Sequence, residues 1–463
     1  MHLYGGMTPD FIADATRNRI ASKLEAAFVD HFRFKPARNE VQSWQNSLRA
    51  MADVVSLASM DDHGVVVELQ LPLSSKRLDC LFTGHDTAER PQGVIVELKQ
   101  WQEAAPSTID DCVSVFVGMG VRDVLHPSRQ VGNYERYLLD VHTTFSEGGV
   151  GLASCGYLHN MTFDPQADLF SERFADILDR FPTFTGDQAD DLATFLDARL
   201  SAGDGGPVLD SVLKGRYRPH KRLLQHTARM IKGEPAYTLL DEQQVAFNDI
   251  LGRVRDRERS TGQSVFLIRG GPGTGKSVIA VNLLAELSLE GFTTKHATGS
   301  KAFTENLRKS VGSRAAAQFG YFNGFVDAEP EVLDVVICDE AHRIRSTSAN
   351  RYTPRAQRST TPQIEELIRS AKVSVFFIDD LQVVRPSEVG SSELITRTAN
   401  ELGIPLIEHE LETQFRCGGS EAFVGWVENP LELRETPYVL WDPTEDFEFD
   451  IVQSPQELAA IIR

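Results

Sequence analysis

The sequence predicts an α/β chain of two modules, and three observations carry that reading. Strand-like runs of β-branched residues alternate with helical stretches in two regions, one before residue 160 and one after Leu239. A glycine-rich loop, Gly270 to Ser277, stands between an apolar strand and a helical pattern. Asp79, Glu97 and Lys99 fall on consecutive strands of the first region. At roughly 100–200 residues per domain, the 463 residues leave room for two to four domains with real cores. Hydrophobic residues at 41% and charged residues at 24% exclude a disordered or collagen-like chain.

The elements follow in order. Residues 1–60 read as helical, with a helix near Glu40 to Leu57. Three strands are predicted at Val65–Leu71, Arg77–Thr83 and Gly93–Leu98, separated by turn formers such as Pro72, Ser74, Gly84 and Pro91. A helix from Ser128 to about Phe145 and a strand from Gly149 to Leu158 complete a first unit over 1–160. Residues 161–235 read as a mixed helical and loop-rich region. Gly203, Gly205, Gly206 and Pro207 mark a linker there, followed by a basic stretch. The second alternation places strands at Val265–Arg269, Thr294–Thr298, Val332–Cys338, Val373–Asp379 and Pro405–Leu411. It divides into a domain over 236–404 and a partial further lobe over 405–463.

Charge and cysteine usage narrow the classes. A formal charge of -19 excludes a simple basic coat protein for nucleic acid, but local patches, not the sum, set binding by an enzyme. Lys214 to Gly233 holds seven Lys/Arg and no acid, so it either contacts phosphates or forms a solvated helical face. Five cysteines, odd in number and without a Cys-x-x-Cys pair, argue against a disulfide framework or zinc ribbon. No apolar run approaches the ~20 residues that span a bilayer. The start carries Asp10 and Asp14 without an export pattern, so a cytoplasmic location without membrane contact is expected.

The loop Gly270-Gly271-Pro272-Gly273-Thr274-Gly275-Lys276-Ser277 has the spacing and the strand–loop–helix setting of a phosphate cradle. Its glycines let backbone N–H groups turn onto phosphate oxygens, and the following helix start adds positive potential. Lys276 is the partner for β/γ-phosphates and Ser277 a ligand for Mg²⁺, which makes ATP and Mg²⁺ the expected cofactors. Asp334-Val-Val-Ile-Cys-Asp339-Glu340-Ala341-His342 is a buried strand ending in paired carboxylates. Asp339 would hold the metal shell, and Glu340 would act as general base on the attacking water. After the next strand, Gln382 in Asp379-Asp380-Leu381-Gln382 could sense a γ-phosphate or belong to an exposed polar loop. Gln243 could read adenine or cap a helix. Arg416 could reach the γ-phosphate across an interface or pair with a surface carboxylate.

Together these residues resemble the superfamily 1 helicase pattern, and more narrowly the Schlafen group III helicase-like ATPases of bacteria. The quartet Asp339-Glu340-Ala341-His342 alone would fit superfamily 2, but Asp379-Asp380-Leu381-Gln382 stands where those enzymes carry Ser-Ala-Thr. The resemblance covers roughly Leu239 to Pro430 and implies a RecA-like fold that acts on nucleic acid, DNA ahead of RNA. It places Thr298-Gly-Ser-Lys301-Ala-Phe303 at a single-strand contact motif; the plain alternative puts Phe303 in the core. Later family motifs have only Glu408–Arg463 to occupy. A truncated motor is therefore expected, with a further segment or partner protein supplying the rest.

In the first unit, period-two alternation puts Glu97 and Lys99 on one strand face, and an adjacent strand can bring Asp79 opposite Glu97. Two carboxylates and a lysine at one sheet edge form a Mg²⁺ site with an ammonium beside it. This resembles the PD-(D/E)xK nuclease signature, without the proline that commonly precedes the first Asp. Gln130-Val-Gly-Asn-Tyr134 matches the Gln-x-x-x-Tyr motif of RecB-like nucleases, and one helical turn puts both side chains on one face. Glu40 or Glu68 could complete the metal shell. His126 and His159 read as structural because paired ligand spacing is missing. The resemblance implies a restriction-endonuclease-like domain, either an active nuclease or a decayed one kept for binding.

The reading is a Mg²⁺-dependent nuclease fused to a superfamily 1 ATPase, which by resemblance serves anti-phage defence or DNA processing. The alternative is an ATP-gated switch that regulates the nuclease or a partner without unwinding.

Overall fold

The computed structural model describes residues 1–32, 34–71, 74–117, 120–147, 149–216, 238–256, 262–311, 313–326, 328–349, 359–382, 385–413, 415, 421–441 and 449–462. Its first unit begins with a strand the sequence did not announce, β1 (Tyr4–Met7), followed by helices over Thr8–Thr16, Ile20–Phe32 and Arg38–Leu57. The three expected strands follow as β2 (Gly64–Gln70), β3 (Arg77–His85) and β4 (Pro91–Lys99). A small separate sheet comes next, made of β5 (Ala105–Pro106), β6 (Cys112–Val117) and β7 (Gly120–Leu125). The helix Pro127–Val141 leads to β8 (Gly151–Leu158) and β9 (Thr183–Thr185). The main sheet runs β1-β2-β3-β4-β8-β9, antiparallel up to β4, with β8 and β9 parallel to it.

Both faces of this sheet are covered. Phe11, Leu24, Leu48 and Leu196 from four helices pack with Val65, Phe82 and Val96 on one face. Val131, Leu138, Val208 and Val212 pack with Val66, Leu81 and Ile95 on the other. Residues 161–214 therefore belong to the first unit's packing, and the boundary expected near residue 160 is corrected. The glycines read as a linker open the helix Gly205–Lys214 instead. A Cβ on Gly205 would collide with the Gly64 backbone and the Thr83 carbonyl, so glycine there permits close approach of helix and sheet. The basic stretch after Arg216 lies outside the described residues.

One rung of this sheet breaks the strand pattern. Strict alternation would put Val65, Val67 and Leu69 on one face. Val65 and Val67 do pack together, but Leu69 and Leu71 join the opposite core. The phase changes at Glu68, whose φ of 55° is left-handed. The β2–β3 register runs to Val67↔Cys80 and resumes at Leu69↔Leu78, passing over Glu68 and Asp79.

The second unit is a six-stranded parallel sheet. Its strands are β10 (Ser264–Gly270), β11 (Thr294–Thr298), β12 (Phe319–Tyr321), β13 (Leu333–Asp339), β14 (Ala371–Ile378) and β15 (Leu406–Leu411), in the order β12-β11-β13-β14-β10-β15. Val265, Phe266, Leu267 and Ile268 are all fully buried, as a strand covered on both faces requires. Helices Glu242–Arg255 and Lys276–Leu289 cover one face, Gln363–Arg369 and Ser392–Glu401 the other. β15 pairs in parallel with β10, so it completes this sheet and does not open a further lobe at residue 405. Beyond it, the described residues form helices Glu421–Glu428 and Pro455–Ile462. Among the described residues, no helix is long and apolar enough to cross a membrane.

Candidate functional site

The phosphate loop leaves the carboxyl end of β10, where open parallel sheets bind ligands. Gly273 and Gly275 have φ of 86° and 83°, a conformation that side chains resist, and Lys276 begins the following helix. The Lys276 ammonium donates to the carbonyls of Gly270 and Gly271 at 2.6 and 2.7 Å, so it lies over the loop itself. Gly270, Gly271, Pro272 and Thr274 line a cleft of about 660 Å³ together with Asp379 and Asp380.

Ser277 and the strand-end carboxylate of β13 meet beside the loop. Asp339, 1% exposed at the end of β13, is hydrogen-bonded by Ser277. His296 Nε2 stands 3.6 Å from its Oδ2. Burial pushes the Asp339 carboxyl up, but His296, Ser277 and the Glu340 N–H outweigh it and hold the group below the usual range. His296 carried no motif signal; only the β11–β13 pairing brings it there. Glu340 follows in a left-handed conformation, φ 58°, with its carboxylate 3.1 Å from His342 Nε2. The buried Asp379 carboxyl is pushed up by burial, with Lys276 pulling the other way.

Other candidates settle differently. Gln382 donates its backbone N–H to the Asp379 carbonyl in a turn after β14, and Asp380 caps the helix at Ser392. Gln243 is buried behind the loop. Its Nε2 donates to the Thr274 carbonyl at 2.9 Å and its Oε1 accepts the Leu240 N–H, so it braces the loop. Phe303 packs against the core near His296, the plainer of its two readings. Arg416 lies outside the described residues.

The first unit's carboxylates converge. Lys99 Nζ stands 2.8 Å from Glu97 Oε1, and the Asp79 carboxylate accepts the Leu98 N–H at 2.6 Å. Burial pushes the Asp79 carboxyl up to about 7, and the Glu68 charge adds to the push. Burial and then Asp79 push Glu97 up to about 8. Burial works against the Lys99 ammonium, but Glu97 and Asp79 more than offset it. Glu68 lies beside Asp79 and is held by Trp44 Nε1 at 2.8 Å and Arg77 at 3.1 Å. Glu40 is spent on Arg77 at 2.5 Å, so of the two acids considered for the metal shell Glu68 is nearer the cluster's chemistry. His126 bonds the Leu169 carbonyl and caps its helix, and His159 meets Ser47, so both are structural.

The donor set fits a divalent cation in its chemistry. Among the described residues, Glu97 Oε2 is buried without a hydrogen-bond partner, and burial and repulsion by neighbouring carboxylates hold the Asp79 and Glu97 carboxyls up even with Lys99 beside them. Among the described residues, no three His, Cys, Asp or Glu are spaced as a preformed cage.

Gln130 and Tyr134 lie one turn apart and hydrogen-bond each other at 2.9 Å. Both also hold Asp241 of the second unit, Gln130 Nε2 at 3.1 Å and Tyr134 Oη at 2.9 Å. Lys76 joins at 3.2 Å and reaches Glu242 at 2.6 Å. Neither Lys76 nor Asp241 was among the candidates expected from sequence. Lys76 stands beside the Arg77-Leu78-Asp79 run, but Asp241 has no local signal. A cavity of about 740 Å³ lies between the units, lined by Lys99 and Gln130 on one side and Asp241, Arg269 and Glu410 on the other.

Residues 263–463 match the family model described as the Schlafen group 3 DNA/RNA helicase domain. Among solved structures, AMPPCP-bound DnaA from Aquifex aeolicus is 17% identical, with 44% of this chain and 56% of that chain covered at a TM-score of 0.23. A replication initiator DnaA bound to AMPPCP and single-stranded DNA is 14% identical, covering 42% and 54% at a TM-score of 0.20. The flagellar accessory protein FlaH from Methanocaldococcus jannaschii is 14% identical, covering 35% and 76% at 0.22. The match thus spans little more than half the length of the two DnaA chains. A search among curated proteins gives no match. The second unit, within which the family match falls, carries the glycine loop on a parallel sheet in a mixed α/β chain.

Proposed function

We propose that this chain is an ATP-dependent nucleic-acid-processing enzyme in which a helicase-like ATPase is coupled to a Mg²⁺-dependent nuclease. The observation that carries the reading is the convergence of Asp79, Glu97 and Lys99 on the interior strands β3 and β4, with Lys99 lining a cavity whose far wall is the ATPase sheet. On the ATPase side, the Lys276 ammonium is within its own length of the loop that would hold β- and γ-phosphates. Ser277 and Asp339 are the residues that would hold Mg²⁺, and Glu340 the group that takes the proton of the attacking water. Gln243 supports the loop from behind, and Gln382, in the turn after Asp379, would be the residue that senses the γ-phosphate.

On the nuclease side, Asp79 and Glu97 would hold Mg²⁺, which when bound supplies Lewis acidity and a more acidic water. Lys99 then orients that water or faces the charge building on phosphorus, and Gln130 and Tyr134 position the strand. DNA ahead of RNA as substrate, and service in anti-phage defence or DNA processing, rest on the family resemblance. A second reading, a nucleotide switch without unwinding, is favoured by the direct bonding of Asp241 into the Gln130–Tyr134 pair.

The test incubates purified protein with labelled single- and double-stranded DNA and RNA, with Mg²⁺, with and without ATP. Cleavage lost in Asp79→Ala and ATP turnover lost in Lys276→Ala are the expected results. Full Mg²⁺-dependent cleavage by Asp79→Ala overturns the nuclease. Strand displacement separates the motor from the switch.

A further inference from the structure

We infer that Asp241 is a built-in competitor for a strand phosphate, closing the Asp79–Glu97–Lys99 site until a nucleoside triphosphate enters the glycine loop. This rests on the nuclease reading above and names how that site is regulated.

Three donors converge on one carboxylate. Gln130, Tyr134 and Lys76 surround Asp241 at 3.1, 2.9 and 3.2 Å. A carboxylate and a phosphodiester share a single negative charge and paired acceptor oxygens, so donors that satisfy one suit the other. Asp241 is close enough for its charge to act on both Glu97 and Lys99. On the far wall Glu410 and Glu412 stand beside the Arg269–Glu408 pair, 2.9 Å apart, and would repel a polyanion. In this arrangement the site is presented to acids of its own chain, and a strand enters only if the units shift.

The contact is also tied to the glycine loop by two short routes. Two residues after Asp241, Gln243 is bonded to the Thr274 carbonyl, and a Cβ on Gly275 would run into its amide. Next to Asp241, Glu242 accepts from Thr413 at 2.8 Å, and two residues on, the Phe415 N–H bonds the Gly273 carbonyl at 2.9 Å. Lys276 now bonds the carbonyls of Gly270 and Gly271 and must leave them to meet phosphate. Any resetting of residues 270–276 therefore pulls on the turn that carries Asp241. That turn is under tension, because Asp241 holds φ 39° and ψ -111°, a conformation a non-glycine residue keeps only under constraint.

Asp241→Gly removes the carboxylate and suits the backbone, and Asp241 makes no side-chain cap that the helix would lose. Cleavage of labelled single-stranded DNA with Mg²⁺ is measured for wild type, Asp241→Gly and Asp241→Gly/Asp79→Ala, with and without a non-hydrolysable ATP analogue. Hydrogen exchange over residues 239–243 and 127–141 is followed in parallel. The analogue is expected to speed wild-type cutting about tenfold, within the range of site-to-site coupling. Asp241→Gly should cut at the raised rate without nucleotide, and the double variant should not cut. Exchange over 239–243 should quicken when the analogue binds. If Asp241→Gly cuts no faster than wild type while cutting still depends on Asp79, the competitor is refuted and the nuclease stands. If no protein cuts at all, the nuclease reading fails and the competitor with it; if the proteins cut but protection over 239–243 is unchanged by the analogue, the link to the glycine loop is refuted.

Discussion

The Asp79 carboxylate takes the backbone N–H of Leu98 at 2.6 Å, doing with a side chain what a neighbouring strand would do with a carbonyl. The β3–β4 ladder reaches its end at Cys80↔Val96, and beyond it Asp79 spans the gap to β4. Glu97 and Lys99 thus run past the last rung shared with β3 while staying paired to β8, so the cluster opens where β3 and β4 part. Asp79→Asn keeps an acceptor for Leu98, whereas Asp79→Ala leaves the N–H without one, at a cost of about 1–3 kcal/mol. Thermal unfolding should show Asp79→Ala destabilised at pH 6 and Asp79→Asn close to wild type. Both should lose Mg²⁺-dependent cutting.

The raised carboxyls set a pH dependence with a definite sign. Asp79 and Glu97 stand near 7 and 8 in the fold, against about 4 for unfolded carboxyls. The folded state thus binds more protons than the unfolded one between these values, and its stability falls as pH rises through that window. Without Mg²⁺ or nucleotide, unfolding is expected at lower temperature at pH 8.5 than at pH 6. Added Mg²⁺ should restore most of the loss, and should do so in Lys276→Ala, which is expected to bind no nucleotide. A melting temperature that ignores Mg²⁺ at pH 8.5 would sink the metal assignment.

Lys276 and Glu340 should separate binding from turnover. Lys276→Ala removes the cation over the loop and is expected to lose binding of a fluorescent ATP analogue. Glu340→Gln leaves the loop intact, so the analogue should bind, while ATP hydrolysis falls by about 10²–10⁴-fold, the scale of a general base. Equal loss of binding in both variants would place Glu340 in the scaffold.

Local patterns made some of this legible and left the rest hidden. The glycine loop and the strand ending in Asp339 are local signals, since spacing and apolar runs fix them without knowledge of the fold. The Asp79–Glu97–Lys99 grouping was also legible, because alternation along two strands constrains which side chains share a face. Gly205 misled as a linker residue because its smallness answers to Gly64 and Thr83, which stand far away in sequence. β15 was assigned to a further lobe because an apolar strand does not announce its partner; its register with β10 is a tertiary fact. Asp241 was hidden for the same reason, since Gln130 and Tyr134 are more than a hundred residues before it.

Glu68 offers a test of how the cluster is tuned. Its φ of 55° inside a strand is a strain that Trp44 and Arg77 hold in place. After burial, its charge is the largest influence raising the Asp79 carboxyl. Glu68→Gln keeps an acceptor for Trp44 and leaves Arg77 with Glu40, so the fold should survive. Without that negative neighbour Asp79 ionises at lower pH, and the acid limb of the cutting profile should move toward acid. Rates of Mg²⁺-dependent cleavage from pH 5.5 to 9 measure this. A cutting rate that collapses across the whole range, in a protein that melts normally, would instead make Glu68 a ligand of the metal.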